Sequence, residues 1–128
     1  MVQYQERSRR LSTGGKIKRA HKKRKNRMGR NPIETKIGSE RKKIVRTRGA
    51  NIKIKAYASN MINVTDRVAN ITSRVAIKGL EKNTASVDYQ RRSILTKGAI
   101  VDTELGMVRI SSRPGQTGQI NGVLQEKE

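Results

Sequence analysis

The chain has 128 residues, with 30 Lys and Arg against 10 Asp and Glu, a formal net charge of +20. It has no Cys, Phe or Trp. That excludes disulfides, thiolate nucleophiles, cysteine-based zinc sites and an aromatic core, and leaves room for one small aliphatic domain plus an arm.

The charge is uneven. Residues 1–55 hold 20 basic and 3 acidic residues, whereas residues 56–128 hold 10 and 7. Residues 7–30, RSRRLSTGGKIKRAHKKRKNRMGR, contain twelve Lys or Arg and no acid. Their large apolar residues are Leu11, Ile17 and Met28. Such a segment cannot offset its ordering entropy by burial and needs a dense polyanion to order against, most often nucleic acid. Ser12, Thr13, Gly14 and Gly15 interrupt the run, and the paired glycines read as a hinge or as a place where backbone approaches phosphate. Residues 16–28 hold good helix formers, with Gly29 and Pro32 as stop signals. Their like charges oppose a helix in free solution, so the arm is expected to be extended, with a short helix here only when bound to RNA.

From Ile33 the pattern changes to short strands. Residues 34–37 and 41–47 read as two strands parted by Gly38 and Ser39. Residues 52–64 alternate clearly, with Ile52, Ile54, Ala56, Ala58, Ile62 and Val64 on one parity, and predict one long half-buried strand bent or bulged near Asn60. Residues 71–80 alternate again, with Ile71, Val75 and Ile77 inward and Thr72, Arg74 and Lys78 outward. Residues 81–92 are irregular with room for one helical turn, and residues 93–96 form a short apolar piece. Residues 99–104 and 107–111 predict a hairpin across Leu105 and Gly106. Arg113-Pro114-Gly115 fits a type II turn, and residues 120–124 are a last strand. The fold class expected is all-β: a small β-barrel over residues 33–125, a basic extension over residues 1–32, and a solvated tail over residues 126–128.

Few residues suit catalysis. His21 is the single histidine, sits among cations that repel metal ions, and reads as a hydrogen-bonding or stacking contact on RNA. Asp102 and Glu104 share a strand face, but balancing nearby cations explains them better than acid/base work. Thr13-Gly14-Gly15-Lys16 lacks the preceding strand and the spacing of a nucleotide-binding loop. No metal, no cofactor and no enzymatic activity are expected. No apolar run approaches the ~20 residues of a membrane span, and the N-terminal region lacks the apolar stretch of a secretory signal.

Four motifs together point to a family: Thr13-Gly14-Gly15-Lys16; Gly29-Arg30-x-Pro32-x-Glu34-Thr35; Thr96-Lys97-Gly98-Ala99; and Ser112-Arg113-Pro114-Gly115-Gln116-x-Gly118. With the intervening stretches they resemble the archaeal and eukaryotic-type ribosomal protein eight of the small subunit, over nearly the whole chain and least well over residues 60–89. The resemblance implies a structural constituent of the small (30S) subunit in the cytoplasm. Its partners would be 16S-type ribosomal RNA and neighbouring ribosomal proteins, with no membrane and no small-molecule substrate. By position, the expected RNA contacts in the arm are Arg7, Arg9, Arg10, Lys16, Lys18, Arg19, His21, Lys22, Lys23, Arg24, Lys25, Arg27 and Arg30, with Thr13, Gly14 and Gly15 through backbone. Arg46, Arg48, Lys53 and Lys55 extend the footprint, and Arg91, Arg92, Lys97 and Arg113 form a second tier. About ten phosphate contacts would give log K against log salt a slope near −7 to −9. The competing reading is a non-specific nucleic-acid-compacting or RNA-chaperone protein, which would bind duplex DNA and structured RNA alike.

Overall fold

Burial begins only after the basic run. The computed structural model describes residues 3–125, so the tail expected over residues 126–128 lies outside it. The chain divides into two compact units, Met1–Pro32 and Ile33–Glu128. No described side chain of the first unit is buried.

That first unit is a long irregular hairpin. Strand β1 (Gln3–Tyr4) pairs antiparallel with β2 (Met28–Gly29). Arg10 bridges Lys16, and the Ile17 amide donates to the Arg9 carbonyl at 2.8 Å. The turn closes over residues 11–15, where the Gly14 amide donates to the Leu11 carbonyl at 2.9 Å and Gly14 takes a φ of 84°. From Tyr4/Met28 to Arg10/Lys16 the outgoing limb takes six steps and the returning limb twelve. The surplus is looped out of the ladder. The returning limb carries no α-helix, only a 3-10 turn at Lys25–Arg27, consistent with like charges opposing helix formation.

The second unit contains, in chain order, β3 (Thr35–Lys36), β4 (Arg41–Arg46), β5 (Ile52–Ala58), β6 (Met61–Asp66), β7 (Ile71–Lys82), α1 (Val87–Arg91), β8 (Ile94–Leu95), β9 (Ile100–Thr103), β10 (Gly106–Ile110), α2 (Pro114–Thr117) and β11 (Asn121–Leu124). Strands β10, β11, β6, β7 and β9 close into a barrel in that order, with β11 parallel to β6 and the other pairs antiparallel. This bears out the all-β barrel expected from the sequence. Alternation sets the inside: Ile62 and Val64 from β6, Val101 from β9, and Val108 and Ile110 from β10 are at most 1% exposed. Strand β7 serves two neighbours, pairing β6 through residues 71–76 and β9 through residues 77–82, with two register shifts in the latter half. Gly122 lets β11 approach β10: an added Cβ would collide with Val108 Cγ1 and lie 3.0 Å from the Arg109 carbonyl.

A separate four-stranded sheet, β4-β5-β3-β8, accompanies the barrel and was not legible beforehand. The buried Thr35 hydroxyl donates to the Ala56 carbonyl at 2.8 Å, and the buried Asn83 amide donates to the Ile94 carbonyl at 2.9 Å. These bonds satisfy polar groups that would otherwise be costly inside.

Three expectations need correction. The long strand over residues 52–64 is two strands, broken at Ser59 and Asn60, and the halves belong to different sheets. Ala56, Ile62 and Val64 are inward as expected, but Ile52 and Ile54 are 64% and 42% exposed because the β4–β5 ribbon runs past the core. Ile71 is exposed likewise, at the solvent end of β7. Finally, Pro114 starts a single helical turn instead of a type II turn. The positive φ falls at Gly118 (74°), where Ile54 packs so closely that an added Cβ would meet its Cβ at 2.9 Å.

Candidate nucleic-acid interface

In the hairpin unit, twelve Lys and Arg face one acid, Glu6. All twelve are exposed. Glu6 ion-pairs Arg19 at 3.1 Å and Arg27 at 3.9 Å, and its side chain is only 10% exposed. One carboxylate thus ties the outgoing limb to both ends of the looped-out segment. Tyr4 adds a second tie, with the Lys23 ammonium 4.6 Å from its ring centroid. A cleft of about 290 Å³ opens between the limbs, lined by Arg7, Arg9, Lys18, Arg19 and Arg27 beside Glu6, with His21 at its edge. His21 Nδ1 lies 2.9 Å from the Lys22 carbonyl. Lys16 and Arg10 flank the turn, where Arg10 Nη1 donates to the Gly14 carbonyl at 2.9 Å. Lys22, Arg24, Lys25 and Arg30 are exposed. The arrangement suits binding a polyanion: each cation stands in water, few are neutralised, and the backbone is held by hydrogen bonds despite the absence of a core.

The β4–β5 ribbon is the second basic element. Lys43 on β4 sits directly opposite Lys55 on β5, and Val45 opposite Lys53. Like charges facing across a ladder destabilise it unless an anion lies between or above them. Arg46 and Lys53 are exposed, as is Arg48 in the connecting turn, where the Thr47 amide donates to the Asn51 carbonyl at 2.8 Å. The other face of the ribbon carries Ile44 opposite Ile54. Lys42 is engaged by Glu40, whose carboxyl is held below its ordinary value by the Lys42 hydrogen bond and charge, with a smaller contribution from Arg74.

Among the second-tier residues, Arg92 stands apart. It is bound to Glu34 and to Asp88 (3.2 Å), and these partners, Asp88 first, push its pKa above the ordinary guanidinium value. Its geometry is that of a tie between β3's approach and α1. Arg91, Lys97 and Arg113 are exposed. Lys43, Arg67 and Arg109 were absent from the sequence-derived set. Lys43 was visible in the run at residues 41–43, but its partner needed the register. Arg67 and Arg109 are single cations with no local signal.

Among the described residues no group of three or more His, Asp or Glu is placed to hold a metal ion. No described helix is long and apolar enough to cross a membrane.

Residues 4–125 match the family model described as Ribosomal protein S8e. The chain is 47% identical over 125 residues to the small ribosomal subunit protein eS8 of Methanococcus maripaludis (strain C5), covering 97% of this chain and 98% of that one. It is 46% identical over 123 residues to the protein of that name from Methanosphaerula palustris, covering 96% and 98%. For that of Halorubrum lacusprofundi the identity is 43% over 120 residues, covering 94% and 96%.

Proposed function

The chain belongs to the ribosomal protein S8e family, and we propose that it is a structural constituent of the small ribosomal subunit in the cytoplasm. It binds 16S-type ribosomal RNA through the hairpin unit and through basic elements of the barrel unit, beside neighbouring ribosomal proteins. The family is one of ribosomal structural proteins, so no reaction is assigned to it.

The observation that carries this reading is the pairing of a full-length family match with a coreless hairpin holding twelve exposed cations against one acid. The contacts fall on the residues set out above for the arm, with Arg46, Arg48, Lys53 and Lys55 on the ribbon and Arg91, Lys97 and Arg113 beyond it. Lys43 joins them because its cross-strand partner is Lys55. Arg92 has the weaker claim, since two carboxylates already occupy it. Such contacts fix position and read RNA shape and backbone rather than sequence.

Sucrose-gradient fractionation of a native lysate at low and high salt tests the assignment. Co-migration with the small subunit at both salts is expected. Absence from that peak, with binding to bulk DNA and RNA, would favour a nucleic-acid-compacting protein instead.

A further inference from the structure

The barrel carries a third basic feature outside the arm and the ribbon. Arg109 points outward from β10, between the buried Val108 and Ile110. It pairs in register with Val123 of β11. Arg67 comes from the turn joining β6 to β7, and Lys97 from the loop joining β8 to β9. Gly98 is pinned there by donating its amide to the Ile110 carbonyl at 2.8 Å. These three cations line a surface depression of about 360 Å³ together with Ser111, Val123, Leu124 and Gln125, and Val123 shares the outward face of Arg109. Its lining contains no carboxylate among the described residues. Among the described residues none of the three cations has an ion-pair partner.

Two connections and strand β10 have thus brought positive charge to the rim of one concavity. For simple solubility, charges separate and project; here they converge at a cost in mutual repulsion. The volume lies at the small end of ligand clefts. The mixed lining, with Val123 beside Ser111 and Gln125, suits a flat, partly apolar group, and the three cations suit an anion. We propose that this depression is a further RNA site that takes one unpaired nucleotide, its phosphate on Lys97, Arg67 and Arg109 and its base or ribose against Val123. A base inside a duplex is stacked and cannot enter a concavity, whereas a base from a loop or bulge can be splayed into one and can stack on a guanidinium plane. The site therefore reads single-strandedness, which the arm does not.

This inference rests on the RNA-binding reading above and is tested separately from it. Full-length protein is photo-cross-linked to a short oligouridylate bearing 4-thiouridine, and the cross-links are mapped by mass spectrometry. Cross-links are expected within residues 3–32, on the ribbon over residues 43–55, and around residues 97–98, 109–111 and 123–125. The triple variant Arg67→Gln/Lys97→Gln/Arg109→Gln loses only the last set, by about tenfold, comparable to one charge-assisted hydrogen bond. Its salt slope for the oligomer becomes shallower by about 2, at roughly 0.7 per cation on single strands. Far-ultraviolet circular dichroism checks its folding. The single variants Lys97→Gln and Arg67→Gln, at exposed connections, each give part of the loss should the triple variant fail to fold.

Cross-links confined to residues 3–32 and the ribbon over residues 43–55, or unchanged by these variants, would overturn the inference and leave the arm's role standing. Competition by inorganic phosphate as effective as by oligouridylate would reduce the depression to a simple anion site. Equal competition by polyglutamate would point to an acidic protein partner. Either result rejects the nucleotide. Loss of all cross-links, together with no binding to 16S ribosomal RNA, would instead reject the reading of the whole protein.

Discussion

The hairpin unit sets twelve Lys and Arg against one Glu and buries none of its described side chains, whereas the barrel unit sets eighteen against nine and encloses an aliphatic core. The two therefore gain order from different physics. In the barrel unit, Ile62, Val64, Val101, Val108 and Ile110 leave water and hold the strands whatever the solution contains. In the hairpin, backbone bonds, the Glu6 ion pairs and one cation–π contact oppose a dense self-repulsion. Salt or a polyanion must weigh heavily on the second and little on the first.

The largest expected contrast is in stability. Ile62→Ala or Ile110→Ala should destabilise the protein by about 2–5 kcal/mol, because a cavity opens in a closed barrel. Ile17→Ala in the hairpin should fall within about 0.5 kcal/mol, as surface changes do. Urea unfolding followed by circular dichroism measures both, and equal losses would break the contrast. Next comes Gly122→Ala. The new methyl would collide with Val108 and press on the Arg109 carbonyl, so a loss of about 1–3 kcal/mol is expected. Wild-type stability in that variant would mean that β11 lies farther from β10 than described.

Cations should sort by partner as well as by place. Arg9→Gln in the arm should weaken binding to 16S ribosomal RNA and leave the thermal midpoint unchanged. Arg92→Gln should do the reverse, lowering the midpoint slightly by releasing Glu34 and Asp88. Filter binding and thermal melts on both variants make the comparison, and a larger RNA defect in Arg92→Gln would assign that residue to RNA. The smallest effect concerns pH. The Glu40 carboxyl is held below 4.5 in the folded protein by Lys42, so its contribution is present above 4.5 and is lost as pH falls through the depressed value. Wild type and Glu40→Gln should therefore differ slightly in urea midpoint at pH 7 and converge as the pH is lowered through the depressed value. A difference unchanged down to the acid limit of the folded protein would show that the carboxylate charge is not the cause.

Sequence periodicity was a good guide wherever a strand had a covered face. Ile62, Val64 and Ile77 were legible because alternation tells which residues share a face. It does not tell whether anything covers that face, which is why Ile52, Ile54 and Ile71 were expected inside and lie exposed. The split was visible as a polar interruption at Asn60, but its consequence, a change of sheet, depends on β3 and β8 pairing from far along the chain. The arm's charge was legible as a run. Its hairpin was not, since Tyr4 meets Met28 across a stretch with no apolar pattern. Arg67, Lys97 and Arg109 are gathered by barrel closure alone.

The hairpin's twelve exposed cations are proposed to hold RNA through phosphate contacts. The most direct test is the salt dependence of full-length protein binding to 16S ribosomal RNA, compared with a variant whose twelve arm cations, Arg7 through Arg30, are all Gln. Wild type should show a slope of log K against log salt near −7 to −9 if about ten cations meet phosphate. The variant should lose most of that slope, with affinity reduced by orders of magnitude at low salt and the barrel's thermal midpoint intact. An unchanged slope and affinity in the neutralised variant would contradict the account.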